Sequence, residues 1–364
     1  MTARLTFRTD AAGDIGFGHL RRCLTLAKIA AARGHAVTFL LSEASDGTAA
    51  ALLQGVAGIA RVAGDGRPAA ETAVLARRPA APCDVLIADI AHGRVLAERA
   101  ALPDYLRALH GKARGLAVLE GLGGDAITGE ADGIAELIVT PYAFDPAATP
   151  RPKTSRQLIG AGYAILDGAY AEATDSRPIA AQGRRVLVTT GGSDPAAVAP
   201  RVLAACEAVA AAALEIRVVV GPYFAPALRA ELARLAAASR HAVSLIESPD
   251  DLRAEMLWCD LAVSTSGLTK YELAATGTPA ILLSHDAAHA HNNRAFAALG
   301  TAQDLGEADA LSAAALSAAI ARLLADRVAR ETMARRGRQT VDGQGAARIV
   351  DAIEDLIPKE AIPS

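Results

Sequence analysis

The chain has 364 residues, of which 52% are hydrophobic and 21% charged, and its formal net charge is −3. That length favours two domains, and that much apolar material excludes a disordered chain. The near-neutral charge gives no electrostatic footprint for nucleic acid, and no apolar run reaches the roughly 18 residues of a membrane span.

Met1 to Asp10 lacks the apolar core of a signal peptide, and Cys23, Cys83, Cys206 and Cys259 are dispersed without a CxxC pair. The expectation is a cytoplasmic protein, monomeric or weakly homo-oligomeric, with reduced, buried thiols. Short apolar runs alternate with Ala-rich stretches, which favour helix. The predicted strands of the first half are 5–8, 36–41, 83–88, 115–119 and 136–140, with a helix from Leu20 to Arg33 closed by Gly34. Pro141 to Arg156 carries four prolines and reads as linker, and Asp175 to Gly183 is a second polar break. Strands then resume at 185–189, 216–221, 243–246, 260–264 and 280–284. Strands separated by helices imply right-handed βαβ units and mostly parallel sheets. Two doubly wound α/β domains are expected, with ligands beyond the carboxyl ends of their strands, in a cleft between them.

Gly16-Phe17-Gly18-His19 follows the first strand and opens the first helix. Glycine permits turn angles and close approach, and a helix start offers free amides to an anion. An imidazole there can exchange a proton near neutral pH, or simply bond to nearby backbone. It is not a dinucleotide fingerprint, because Arg21 stands where the third glycine belongs. Asp10 ends the strand and is a candidate to orient His19, to bind a substrate hydroxyl, or to cap the turn. Arg22 shares a helix face with His19, where it can meet a diphosphate or lie in solvent.

In the second half, Gly191-Gly192-Ser193-Asp194 is a strand-to-helix turn suited to phosphate, or an ordinary tight turn. Ser266-Gly267-Leu268-Thr269 begins a second such helix, where small residues and free amides suit a pyrophosphate. Glu272, one turn in, offers the two acceptors a ribose diol needs, or is a surface carboxylate favoured by the helix dipole. His285, His289 and His291 could share a metal, but without a flanking carboxylate pattern they read better as a sugar-contacting loop. Asn292 and Asn293 suit hydroxyl and N-acetyl groups. No metal and no cofactor are expected.

The stretch Arg8 to Ala27, with Ile15-Gly16-Phe17-Gly18-His19-Leu20-Arg21-Arg22, resembles a bacterial family of nucleotide-sugar enzymes. These are the UDP-2,4-diacetamido-2,4,6-trideoxy-β-L-altropyranose hydrolases of pseudaminic acid biosynthesis, with their spore-coat polysaccharide relatives. More distantly the chain is similar to the UDP-GlcNAc transferase of peptidoglycan synthesis. The resemblance recurs at Gly191–Asp194, Ser266–Ala274 and Val341–Ala346, in order along the chain. It implies a GT-B fold with Rossmann-like domains at 1–168 and 169–345, facing a central cleft, and a last helix, 346–364, crossing back to the first. It implies that His19 activates a water that displaces UDP, that no metal is needed, and that Glu272 holds the ribose. The resulting expectation is release of UDP and free sugar for pseudaminic acid, flagellin glycosylation or a related surface polysaccharide. The alternative is a GT-B glycosyltransferase acting from a UDP-sugar or CMP-nonulosonate on a glycan or protein. A binding protein without catalysis fits the intact His19 and Asp10 less well. The chain departs from the resemblance at Asn292-Asn293, at Glu120-Gly121-Leu122-Gly123-Gly124, and at Asp89-Ile90-Ala91-His92, all where the sugar is expected. Sugar and acceptor therefore stay open.

Overall fold

The computed structural model describes residues 2–12, 15–45, 47–77, 83–121, 126–147, 149–172, 178–209, 213–249 and 252–357. The chain divides into two compact units, one of Met1–Asp167 with Gln344–Ser364 and the other of Gly168–Gly343. Among the described residues no helix is long and apolar enough to cross a membrane.

The first unit holds β1 (Arg4–Thr9), β2 (Ala36–Ser42), β3 (Gly58–Val62), β4 (Cys83–Asp89), β5 (Ala113–Leu119), β6 (Leu137–Thr140) and β7 (Arg156–Ile159). They form one sheet in the order β3-β2-β1-β4-β5-β6-β7, and every pairing is parallel. Alternate residues of each strand feed opposite faces. Leu5, Phe7, Val85 and Ile87 pack with Leu20 and Leu26 of the helix Gly18–Ala32 and with Ile349 and Ile353 of the helix Gly345–Glu354. Leu86 and Ala88 face the other way, onto Leu75, Tyr105 and Leu109. Both faces being covered explains why the central strands read as continuous apolar runs.

The second unit holds β8 (Arg185–Thr189), β9 (Glu215–Val220), β10 (Ala242–Glu247), β11 (Leu261–Ser264), β12 (Ala280–Ser284) and β13 (Gln303–Glu307). Their order is β10-β9-β8-β11-β12-β13, again parallel throughout. Val188, Ile216, Val218, Val263 and Ile281 lie in its core. In both sheets the strand order reverses beside the first strand, between β1 and β4 and between β8 and β11. Such switch points open a crevice at the carboxyl ends of the strands.

Three strands, β3, β7 and β13, are not among those predicted, and each is a sheet edge. Their sequences, GIARV, RQLI and QDLGE, lack an apolar run because an edge strand is only partly covered. Arg156, the expected end of the Pro141–Arg156 linker, is the first residue of β7. Part of the other expected break, 175–177, lies outside the described residues. The first helix runs Gly18–Ala32, and Gly34 follows its cap with φ +89°. All four cysteines are buried and free.

The last helix returns to the first unit through a tight passage. A Cβ on Gly345 would lie 2.3 Å from the Ala164 carbonyl oxygen. Arg33 then bridges to Asp351 at 2.7 Å. Gly345→Ala should therefore destabilise the protein by about 2 kcal/mol, within the range for overpacked sites. Thermal denaturation checks this, and an unchanged midpoint would contradict so close a packing.

Candidate functional site

In the first unit, β1 and β4 run side by side with Thr9 opposite Asp89. Their carboxyl ends thus bring the Asp10 and Asp89 carboxylates to the switch point. Both side chains are fully buried. Each is matched by its own arginine and approached by one histidine.

Asp89 accepts from His19 Nδ1 at 2.6 Å and from Arg22 Nε and Nη2. Arg22 is buried and donates its other nitrogen to the Tyr142 hydroxyl beyond β6. Burial by itself would raise the Asp89 carboxyl, but Arg22 and then His19 hold it well below the usual carboxylate range. A carboxylate only accepts, so His19 Nδ1 donates and the lone pair of the neutral ring falls on Nε2. Nε2 makes no hydrogen bond among the described residues. The side chain of His19 keeps 18% of its surface exposed. Gly16 permits the turn into this helix with φ +79°, while a Cβ on exposed Gly18 would meet nothing within 4 Å.

Asp10 does not orient His19, contrary to the sequence expectation. Asp10 and Arg8, two residues apart, share one face of the strand end. Arg8 Nη2 donates to Asp10 at 2.7 Å, and the Ser42 amide and Ser45 hydroxyl bind the other oxygen at 2.7 and 2.9 Å. Arg8 is itself tied to Glu71 and Tyr105. Arg22 is likewise neither solvated nor available to a diphosphate, since Asp89 and Tyr142 engage it. The register that sets Asp89 beside the first helix is a long-range pairing, and no local pattern announces it.

His92 follows β4 and is buried, with Nε2 3.7 Å from Asp10 Oδ2, too long for a hydrogen bond. Its ring lies 6.0 Å from that of His19 at 74°. Neither of its nitrogens finds a hydrogen-bond partner among the described residues. The arrangement is crossed: the histidine after β1 meets the aspartate of β4, and the histidine after β4 approaches the aspartate of β1. Glu120, at the end of β5, accepts from the Ile127 amide and the Thr128 hydroxyl, and burial pushes it up to about 7. Leu122, Gly123 and Gly124 lie outside the described residues.

In the second unit, the turns after β8 and β11 enclose a cavity of about 220 Å³ lined by Thr190, Gly191, Ser193, Thr265, Ser266 and His285 among others. Gly192 lines it too, Gly191 has φ +84° and Gly267 φ +124°. Asp194 accepts from the Val198 and Ala199 amides, both at 2.9 Å, and so caps the helix Val198–Glu207. Those two amides are therefore taken, and a carboxylate stands where phosphate was expected to meet the helix start. The helix Thr269–Ala275 begins without a side-chain cap, with Gly267, Leu268 and Thr269 half-buried before and at its start. Glu272 is half-buried in its first turn.

Asn292 and Asn293 are buried and engaged internally, which corrects their expected role as sugar contacts. Lys270 donates to both side-chain carbonyls, and Asn293 Nδ2 donates to Ser266 and Ser284 at 3.0 and 2.9 Å. Asn293 thus ties Ser266 at the cavity to a lysine that sequence reading passed over. Lys270 lies against the Tyr271 and Phe296 rings, 5.4 and 5.7 Å from their centres. Burial pulls its amine down to about 7, against the nearby Asp304 charge.

No family model matches the chain. Over 201 residues it is 28% identical to the spore coat polysaccharide biosynthesis protein SpsG of Bacillus subtilis (strain 168), covering 55% of this chain and 59% of that protein. Over 188 residues it is 30% identical to a UDP-N-acetylglucosamine–N-acetylmuramyl-(pentapeptide) pyrophosphoryl-undecaprenol N-acetylglucosamine transferase of Nitratidesulfovibrio vulgaris (strain DSM 19637 / Miyazaki F), covering 49% and 48%. The chain thus spans only about half to three fifths of these relatives' lengths. The crystal structure of Acinetobacter baumannii MurG superposes with a TM-score of 0.68 at 16% identity, covering 98% of this chain and all of that one. The chain has the GT-B fold. Its two parallel sheets are the two halves of that architecture, and the chain is a distant relative of SpsG.

Lys270 yields a stability test. Below about pH 7 the amine is protonated both folded and unfolded. Between about 7 and its ordinary 10.5 only the unfolded chain keeps that proton, so this group makes stability rise with pH there. Lys270→Met removes that slope, and wild type should gain on the variant as pH rises from about 7 to 10. Denaturant unfolding at both pH values checks this, and a constant difference would contradict it.

Proposed function

We propose that this chain transfers a sugar from a UDP-sugar to a hydroxyl acceptor in the assembly of a surface polysaccharide. The observation that carries the reading is the pairing of buried Asp89 with half-buried His19, with His19 Nε2 left open at the switch point of the first sheet. In this proposal Nε2 takes the proton of the acceptor hydroxyl as its oxygen bonds to the anomeric carbon. The bond from that carbon to the UDP oxygen breaks, and UDP leaves with the electron pair. Asp89 stabilises the imidazolium that forms and keeps the ring in the useful tautomer. Gly191, Gly192 and Ser193 line the nucleotide pocket of the second unit. The turn Ser266–Thr269 holds the diphosphate as charge develops on it, and Glu272 holds the ribose. The likeness to a polysaccharide biosynthesis protein and to a UDP-N-acetylglucosamine transferase supports the substrate class.

A second reading gives His19 a water instead. It releases UDP and free sugar from a UDP-linked diacetamido-trideoxy sugar, toward pseudaminic acid. The motif likeness over Arg8–Ala27 favours it, and the chemistry at Nε2 is the same. The protein incubated with UDP-sugars, alone and with sugar acceptors, separates the two. UDP release that rises with acceptor supports transfer, and equal release in water alone supports hydrolysis. No release from any donor overturns both.

Asp89→Asn should lower kcat by about 10²- to 10⁴-fold, because an amide can no longer fix the tautomer or offset the imidazolium charge. His19→Ala should abolish turnover and leave UDP binding nearly unchanged. Steady-state kinetics and calorimetry check both, and surviving turnover in His19→Ala would remove the histidine from the mechanism.

A further inference from the structure

We propose that His285, Asp286 and His289 bind one borderline divalent cation of the zinc class at the rim of the second-unit cavity, leaving a coordination position for water or a phosphate oxygen. The sequence alone shows histidines without a carboxylate pattern. The fold supplies one: Asp286, the N-cap of the helix Ala287–Ala297, sets its carboxylate within reach of a nitrogen of each ring. The imidazoles are drawn together, with ring centres 3.9 Å apart. One donor atom from each of the three residues lies within 4.8 Å of the others.

The spacing suits a tetrahedral ion. Metal–ligand bonds of about 2.0–2.1 Å place neighbouring ligand atoms about 3.3 Å apart. Asp286 Oδ2 lies 2.9 Å from His289 Nδ1 and 3.6 Å from His285 Nε2, on either side of that value. Asp286 Oδ1 already caps the helix by accepting from the His289 amide at 2.8 Å, so Oδ2 can turn to an ion without uncapping it. Two imidazoles and one carboxylate are the ligand types zinc prefers, and three protein ligands leave a fourth place open.

The site has a consequence for the neighbouring cavity, and here the inference rests on the proposed nucleotide reading. His285 lines that cavity together with the Gly191–Asp194 turn, where Asp194 adds a carboxylate. A cation on the His285 side would supply the positive charge that a diphosphate needs there.

The test uses the full chain without any histidine tag, stripped with chelator and titrated calorimetrically with zinc chloride, alone and with UDP. One saturable equivalent of zinc is expected. His285→Ala, His289→Ala and the cap-preserving Asp286→Asn should each weaken it at least about tenfold, with melting curves confirming that each variant is folded. His291→Ala should leave it unchanged. UDP should tighten zinc binding, and zinc should tighten UDP binding by the same factor. Absence of saturable binding, or binding unchanged in the His285→Ala/His289→Ala double variant, overturns the site. Zinc binding indifferent to UDP keeps the site and overturns the coupling. UDP binding to the metal-free protein is measured separately, so its absence would count against the nucleotide reading and leave the zinc result standing.

Discussion

Asp89 can stay charged in a dry interior only because Arg22 is buried with it. Removing a carboxylate from water costs several kcal/mol even after relaxation, and an unpaired one would take up a proton instead. Arg22 comes from the same helical turn as His19, three residues on, so the helix that brings the imidazole also brings the charge that keeps its partner ionised. Tyr142 holds the far side of the guanidinium from beyond β6. Three segments distant in sequence therefore have to be in place before His19 has a defined tautomer. Loss of Arg22 would leave an uncompensated buried charge, which is a folding problem.

Arg8, Asp10, Glu71 and Tyr105 form a second buried network under the same strand ends. It joins β1 to the helices Pro68–Arg77 and Leu102–His110. Its satisfied hydrogen bonds make it a rigid floor, and Asp10 contributes there by fixing the loop at Ser42 and Ser45. The second unit solves a similar problem differently. Lys270 is received by neutral amides and aromatic rings, so its charge is weakly compensated and its amine is pulled down. The two units thus share a topology and differ in how they treat a buried ion.

Much of this was legible in the sequence. The central strands, the helix after Gly16 and the restart near Arg185 follow from apolar runs and turn chemistry, which are local signals. The edge strands β3, β7 and β13 are not, because half-covered strands carry the polar residues of a surface. The placement of side chains at the site was legible only in part. Asp10 is next to the turn in sequence and was the natural partner for His19, yet strand alternation turns it toward Arg8. Asp89 comes from a strand that follows some eighty residues later and is adjacent only through the parallel pairing of Thr9 with Asp89. Asn292 and Asn293 read as hydroxyl contacts in sequence, yet Lys270, 22 and 23 residues earlier and in a different helix, uses both. Residue type announces capacity, and long-range register decides which partner consumes it.

Cys23 sits directly behind this machinery, its sulfur 3.5 Å from Asp89 Oδ2. Burial, with the Asp89 charge added, pushes its thiol well above the ordinary range. It therefore stays protonated and unreactive while the helix is seated. The same residue becomes an electrophile's target only when the helix Gly18–Ala32 lifts from the sheet, so the rate at which Cys23 is alkylated is a built-in clock for how often that helix comes loose.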